Sequence, residues 1–137
     1  MDTNFQTMVS NHKFGLPVEE FKLKVPIDWH SKFPKRLTEL TPRDTCIFKI
    51  FPLIKEVKII DCIVFLRRQQ NYIFIGNQAS YIIAGNNYKL KHEGIKSLIS
   101  FKEVNSYSRI HRSLTVYKDG IFFEQEFGDF LLGVSIA

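Results

Sequence analysis

The sequence predicts a mainly β protein of the α+β class, a small antiparallel barrel of five or more strands with one or two short helices. Three observations favour this fold. Residues 54–85 hold short apolar runs separated by turns, which indicates a three-strand meander. Residues 18–27 alternate apolar and polar side chains, as a half-buried strand does. Asp119-Gly120 lies between two short apolar and aromatic runs, which is the pattern of a tight hairpin.

The N-terminal third is predicted to hold an arm, a strand, a helix and a second extended run. Residues 1–16 mix polar and apolar types without a period, and we expect a flexible or loosely docked arm. The remaining chain, 17–137, is expected to form one β-rich barrel domain. Pro26 places the first strand at an edge or a strand end. Residues 31–40 are typical of one short helix with Pro34 in its first turn, and residues 46–53 are expected to be extended.

The centre of the chain is predicted to be a strand followed by a hairpin. Residues 57–66 are apolar on both alternating sets, and their β-branched content favours a strand buried on both faces. Residues 72–75 and 81–84 are expected to pair. Beyond them, the sequence predicts a short helix over 93–100, a strand from 101 to 104, and the hairpin of 115–117 with 121–123. The apolar end, 130–137, must be tucked into the sheet or held against a partner.

Composition describes a folded chain whose charge is unevenly distributed. The 45% apolar and 14% aromatic content of these 137 residues excludes a disordered protein. The net charge is +5, yet residues 57–118 carry ten Lys and Arg against three acids, whereas residues 119–137 carry four acids and no Lys or Arg. A basic centre suits an anionic partner. A solvated basic surface explains the same numbers equally well.

No chemistry-bearing motif stands out in the sequence. The two cysteines do not form a disulfide framework, and the four histidines lack the spacing of a metal site. We expect no cofactor, no metal and no enzymatic activity. Asp61, within the apolar run, needs a partner or a water-facing position. Without a secretory signal or an apolar run long enough to cross a bilayer, the expected location is intracellular and possibly nuclear.

Residues 52–64, PLIKEVKIIDCIV, resemble the opening phrase P-I-K-x-V-x-I-x-G-x-V of one OB-fold subfamily. It comprises the middle subunit of replication protein A and the second subunit of the telomeric CST complex. Arg67 and Arg68 stand where the family turns, and residues 100–117 resemble its fourth and fifth strands. The chain departs from the family at Asp61 or Cys62, where glycine is usual. The resemblance implies an OB barrel that binds single-stranded DNA within a telomeric or replication complex.

Nucleic-acid binding requires cations for phosphates and exposed aromatic faces for bases. If the isoleucines of 72–75 point inward, Tyr72 and Phe74 face outward beside Arg67 and Arg68. In the alternative interpretation those aromatics form the core and the arginines are merely solvated. Arg109 and Arg112 belong to a second basic cluster, which is either a gripping loop or an ordinary charged one. The predicted nucleic-acid-binding residues are Lys58, Arg67, Arg68, Tyr72, Phe74, Tyr107, Arg109, Arg112 and Lys118.

The favoured function is therefore a non-enzymatic OB-like module that binds single-stranded nucleic acid as a subunit of a larger complex. Two alternatives stay open. One is a protein–protein adaptor or homo-oligomer that docks through its apolar C-terminal strip. The other is a viral or bacterial accessory protein, matrix-like, whose basic face meets anionic lipid or RNA. The predicted partner-interface residues are Phe130, Leu131, Leu132, Val134 and Ile136.

Overall fold

The computed structural model describes residues 13–33, 40–54, 57–69, 77–95, 97–103, 110–118, 121–124 and 130–137. These hold six strands and three helices. The strands are β1 (Glu19–Lys24), β2 (Thr45–Pro52), β3 (Ser97–Glu103), β4 (Ile110–Lys118), β5 (Ile121–Glu124) and β6 (Phe130–Ile136). The helices are α1 (Trp29–Lys32), α2 (Ile59–Arg68) and α3 (Asn77–Gly85).

All six strands belong to one sheet, in the order β1-β2-β6-β3-β4-β5. The last strand of the chain, β6, lies between β2 and β3. Four of the five strand pairs are antiparallel, whereas β3 and β6 run parallel. The parallel pair joins the N-terminal hairpin, with β6 added to it, to the β3-β4-β5 meander.

The predicted OB-like antiparallel barrel is wrong, because the described strands form an open sheet. Closing a barrel requires its terminal strands to pair, and here β1 and β5 lie at opposite ends of the strand order. The parallel β3–β6 pair also departs from an all-antiparallel arrangement. Because β6 lies between β2 and β3, the β1-β2 hairpin and the β3-β4-β5 meander belong to one continuous sheet.

One face of the sheet packs against α1 and α3 in what we call the α3-side core. Phe48 and Ile50 of β2 and Val134 of β6 point into it, because every second residue of a strand faces the same side. Ile82 and Ile83 of α3 cover these side chains. Trp29, Phe21, Val25, Leu40, Cys46, Ala79, Ile95, Leu98 and Leu132 complete this core.

The opposite face packs against α2 in a smaller α2-side core. Phe51 of β2 and Leu131 of β6 point to this side, alternating with the residues of the larger core. Phe65 meets Phe51 edge-on, with ring centroids 4.9 Å apart. It also stacks on Phe14 at 4.2 Å. Cys62 and Leu66 complete this core, so the central strands β2 and β6 are covered on both faces.

The meander predicted over 54–85 is wrong, because 59–68 and 77–85 are helices. Apolar residues on both alternating sets of 57–66 favoured a doubly buried strand. The structure instead buries Cys62, Phe65 and Leu66, which lie three and four positions apart on one helix face. Ile60 and Val64 lie on the exposed side. The β-branched content favoured a strand, but burial of one helix face against the sheet outweighs this local preference.

Other predicted elements divide between confirmation and correction. The strands predicted over 18–27 and 46–53 are confirmed as β1 and β2. The hairpin predicted at Asp119-Gly120 is confirmed by the pairing of Lys118 with Ile121. The helix predicted over 31–40 is wrong in its bounds, since α1 ends at Lys32 and Phe33 is extended. The helix predicted over 93–100 is also wrong, because β3 begins at Ser97 and pairs with β4.

The last residues of the predicted arm are docked, while residues 1–12 lie outside the described chain. Phe14 forms a bridge with Leu53, and the Gly15 amide donates to the Pro52 carbonyl at 2.9 Å. A Cβ added to Gly15 would come within 2.7 Å of the Pro52 ring, so this close approach requires glycine. Across the described ranges, no helix has the length and apolar character needed to cross a membrane.

Candidate nucleic-acid interface

The first turn of α2 is organised by Asp61. Its carboxylate accepts a hydrogen bond from the Lys58 amide at 2.8 Å, which satisfies a donor that the helix itself leaves unpaired. The Lys13 ammonium lies 3.0 Å from the same oxygen. The hydrogen bond from Lys58 and the one from Lys13 hold the pKa of Asp61 below its usual value. Of the two positions expected for this carboxylate, beside a partner or facing water, the structure shows the one beside a partner.

Three of the predicted cations lie exposed on α2. Lys58 precedes the first turn with an extended backbone, and Arg67 and Arg68 occupy the last turn. Cations at a helix C-terminus are favoured because they compensate the partial negative charge of the unpaired carbonyls. The packing of Phe65 and Leu66 against the sheet sets which way this turn faces. Arg67 therefore points away from the α2-side core.

The sheet contributes further cations on the same side as α2. Phe21 and Leu23 pack in the α3-side core, so Lys22 and Lys24 of β1 point to the opposite face. Lys49 of β2 lies between two residues of the α3-side core and also points to the α2 side. Lys22 is in register with Ile47, and Glu20 with Lys49. On this face β1 and β2 carry three lysines and one acid, Glu20, so the surface is basic.

We define the basic side by the charged side chains of α2, of Lys58 directly before it, of Lys13, and of the β1 and β2 residues that point away from the α3-side core. Its described charged side chains are seven cations and two acids, and one acid, Asp61, is paired with Lys13. The opposite side, formed by α1 with Asp28 before it, α3, residues 86–95 and the β1 residues on the α3 side of the sheet, is balanced, with three lysines against three acids. The cations are Lys13, Lys22, Lys24, Lys49, Lys58, Arg67 and Arg68. Lys32, Lys89, Lys91, Glu19, Asp28 and Glu93 belong to the balanced side.

The remaining predicted nucleic-acid residues are only partly described. Tyr72, Phe74, Tyr107 and Arg109 lie outside the described residues, so the orientation predicted for Tyr72 and Phe74 stays a prediction. Arg112 and Lys118 belong to β4, where they pair with Phe101 and Ile121. The structure thus places Lys58 at the start of α2 and Arg67 and Arg68 at its end, and the strand lysines point to the same side of the sheet.

The predicted partner-interface residues form β6 rather than an exposed strip. Leu131, Leu132 and Val134 are buried by the chain's own helices and neighbouring strands. Phe130 is half-buried against the α3-side core, and Ile136 is 41% exposed. Of the two alternatives for this apolar end, the structure shows the one in which it is tucked into the sheet.

Lys22, Lys24 and Lys49 were absent from the predicted site, although part of the signal was present. Alternation over 18–27 already separated Lys22 and Lys24 from Phe21 and Leu23. The alternation could not show which strand pairs with β1, nor on which face of the sheet α2 packs. Those relations depend on contacts between residues far apart in the sequence.

The described residues offer little to metal or nucleophilic chemistry. Among them, no group of three or more His, Cys, Asp or Glu side chains could hold a metal ion. Both cysteines are buried, and neither forms a disulfide. Cys46 lies in the α3-side core and Cys62 in the α2-side core, on opposite faces of the sheet. Burial, with the nearby Asp44 charge, raises the pKa of the Cys46 thiol to about 12.

Comparisons with protein-family models, curated proteins and solved structures found no match to this chain.

Proposed function

We propose that this protein binds single-stranded nucleic acid through its basic side and catalyses no reaction. The observation that carries the proposal is the charge asymmetry of the sheet, with seven cations and two acids on one side and a balanced set on the other. Polyphosphate backbones bind such surfaces because each contact releases condensed counterions. Arginine at the end of α2 supports phosphate binding because its guanidinium can donate two parallel hydrogen bonds.

The half-buried residues beside the strand lysines favour a single strand over a duplex. Ile47 and Thr45 are half-buried and lie in register with Lys22 and Lys24. An apolar side chain between cations can contact a base while the neighbouring phosphates meet ammonium groups. A duplex turns its bases inward and offers this surface only its backbone. We therefore expect a preference for unpaired nucleotides.

The direct test is fluorescence anisotropy with a labelled single-stranded oligonucleotide across a series of salt concentrations. Wild-type protein should bind at low salt, with affinity falling as salt rises. The variant K22Q/K24Q/R67Q should bind at least tenfold more weakly. If each residue contacts one phosphate, the salt slope should fall by about 2, since each contact contributes about 0.7 on a single strand.

The matched control is K32Q/K89Q/K91Q, which removes the same charge from the balanced side. It should bind with nearly the wild-type affinity. Equal loss in both variants would show that net charge alone attracts the oligonucleotide, and this would overturn the proposed interface. Tighter binding of a duplex of the same length would contradict the preference for single strands.

A further inference from the structure

The outer face of α2 carries an apolar pair that the core does not use. Ile60 is 59% exposed and Val64 39% exposed, while Cys62, Phe65 and Leu66 of the same helix are buried. Ile60 and Val64 are four residues apart, so they are neighbours on the helix surface. Isolated exposed apolar residues are ordinary, but these two are adjacent and β-branched, and they lie on the side of α2 opposite its buried residues.

Cations bracket this apolar pair at both ends. Lys58 precedes the first turn, and Arg67 and Arg68 form the last turn. The carboxylate of Asp61 also lies on α2, but it is bound by the Lys58 amide and the Lys13 ammonium. It therefore does not neutralise the cations at the two ends of the helix. We call the set of Ile60, Val64, Lys58, Arg67 and Arg68 the α2 outer face.

A second copy of this chain fits the α2 outer face poorly. If two copies packed α2 antiparallel, Lys58 of one would meet Arg67 of the other. If they packed α2 parallel, Arg67 would meet Arg67. Both arrangements bring like charges together, which disfavours association. Repulsion between the cations at the two ends of α2 therefore opposes self-association through this face.

A lipid surface also fits poorly, because the larger apolar side chains of α2 point the other way. An interfacial helix inserts a wide apolar face that typically includes aromatic or leucine side chains. Here Phe65 and Leu66 are held against the sheet, and the exposed apolar side chains that the structure describes on α2 are Ile60 and Val64. Phosphate binding likewise makes no use of this pair.

We propose that the α2 outer face docks an acidic amphipathic helix of another protein. Apolar side chains of that helix would cover Ile60 and Val64, and Asp or Glu at its two ends would face Lys58 and Arg67. Helix-on-helix recognition with apolar anchors three or four residues apart is a common docking mode. The contact is small, so the complex is weak and transient. Lys58 and Arg67 also belong to the basic side, so the acidic helix should compete with nucleic acid for these cations, whereas Ile60 and Val64 are required for the helix alone.

The test uses NMR of the isotope-labelled full chain with two synthetic 18-residue helical peptides. One carries Leu at every third or fourth position and Glu elsewhere, and the other has Lys in place of Glu. The acidic peptide should shift amide resonances of residues 57–69. The variant I60S/V64S should lower its affinity at least fivefold. The matched control I27S, at a site 94% exposed and outside the α2 outer face, should leave it unchanged.

Several outcomes would overturn the proposal. Equal shifts with the lysine peptide, no shift in 57–69 at millimolar acidic peptide, or equal affinity of I60S/V64S would each contradict it. A dimer seen by light scattering and lost in I60S/V64S would assign the face to a second copy. Sedimentation with phosphatidylserine vesicles that depends on the same pair would assign it to lipid. Oligonucleotide binding by I60S/V64S should match wild type, which separates this test from that of the proposed function.

Discussion

The phenol of Tyr88 donates a hydrogen bond to the carboxylate of Glu19, which lies at the start of the edge strand β1. The other oxygen of Glu19 accepts from the amides of Lys91 and His92 at 2.9 and 2.8 Å. The Tyr88 ring also stacks on Phe21, with centroids 3.9 Å apart. One carboxylate and one ring therefore fasten the segment after α3 to the edge of the sheet.

Replacing Tyr88 with Phe should destabilise the protein by about 1 kcal/mol, because it removes the hydroxyl but keeps the stack on Phe21. Burial, and then the hydrogen bond to Glu19, raise the pKa of Tyr88. The folded state thus holds its proton more tightly than the unfolded state. This stabilisation is present below the unfolded pKa of about 10 and is lost as pH rises through the folded pKa. Urea denaturation of Y88F and wild type from pH 7 to alkaline pH measures it.

A double-mutant cycle of Y88F with E19Q provides the control for this prediction. Coupling between the two sites should be about 0.5–1 kcal/mol. Additive effects would show that Tyr88 stabilises the segment through its ring alone.

Asp61→Asn should destabilise the protein by about 1 kcal/mol at neutral pH, because the carboxylate caps α2 and pairs with Lys13. The pKa of Asp61 is lowered by the hydrogen bonds from Lys58 and Lys13. Its contribution is therefore present above the unfolded pKa of about 3.9 and is lost as pH falls through the folded pKa. Denaturant titrations should show the two proteins converging in acid. E20Q, a neutralised exposed carboxylate of β1, should remain near wild type throughout.

Phe14→Ala should cost about 3 kcal/mol, because Phe14 is 2% exposed and stacks on Phe65 in the α2-side core. The matched control is Leu16→Ala, two residues further on and 83% exposed. It should change the free energy of unfolding by less than about 0.5 kcal/mol. Equal effects of the two substitutions would contradict the docking of residues 13–15 described above.

The two thiols should be unreactive in the folded protein and should not pair with each other. Cys46 and Cys62 are both buried, and they lie in cores on opposite faces of the sheet. Labelling with a thiol reagent should therefore follow the rate of unfolding, and both cysteines should react at once in denaturant. Rapid labelling of either thiol under native conditions, or an intramolecular disulfide under mild oxidation, would contradict this arrangement.

The elements that local pattern predicted well are those whose pattern has a single interpretation. Alternation between Phe21, Leu23 and their polar neighbours indicates a strand, and a turn of Asp119-Gly120 indicates a hairpin. Residues 57–66 were different, because apolar residues on both alternating sets fit a doubly buried strand and a helix alike. A short apolar run without a clear period leaves the choice to its packing partners.

The sequence likewise predicted only part of the candidate site. Lys58, Arg67 and Arg68 were selected as cations in a basic region, and they do lie exposed, yet on a helix rather than at the turn of a barrel. The C-terminal strip was known to need cover. Its place between β2 and β3 follows from pairings with residues 46–52 and 98–99, far away in the chain.

By itself, the sequence determined the strand character of β1 and β2, the hairpin of β4 and β5, the burial of the apolar end and the basic character of the centre. These follow from alternation, turn chemistry and charge, which act between near neighbours. Tertiary structure alone decided the helical state of α2 and α3, the strand order and the face on which Lys22, Lys24 and Lys49 join Arg67. The reason is that burial is shared between distant residues, so Phe65 becomes a core residue only where Phe14 and Phe51 meet it.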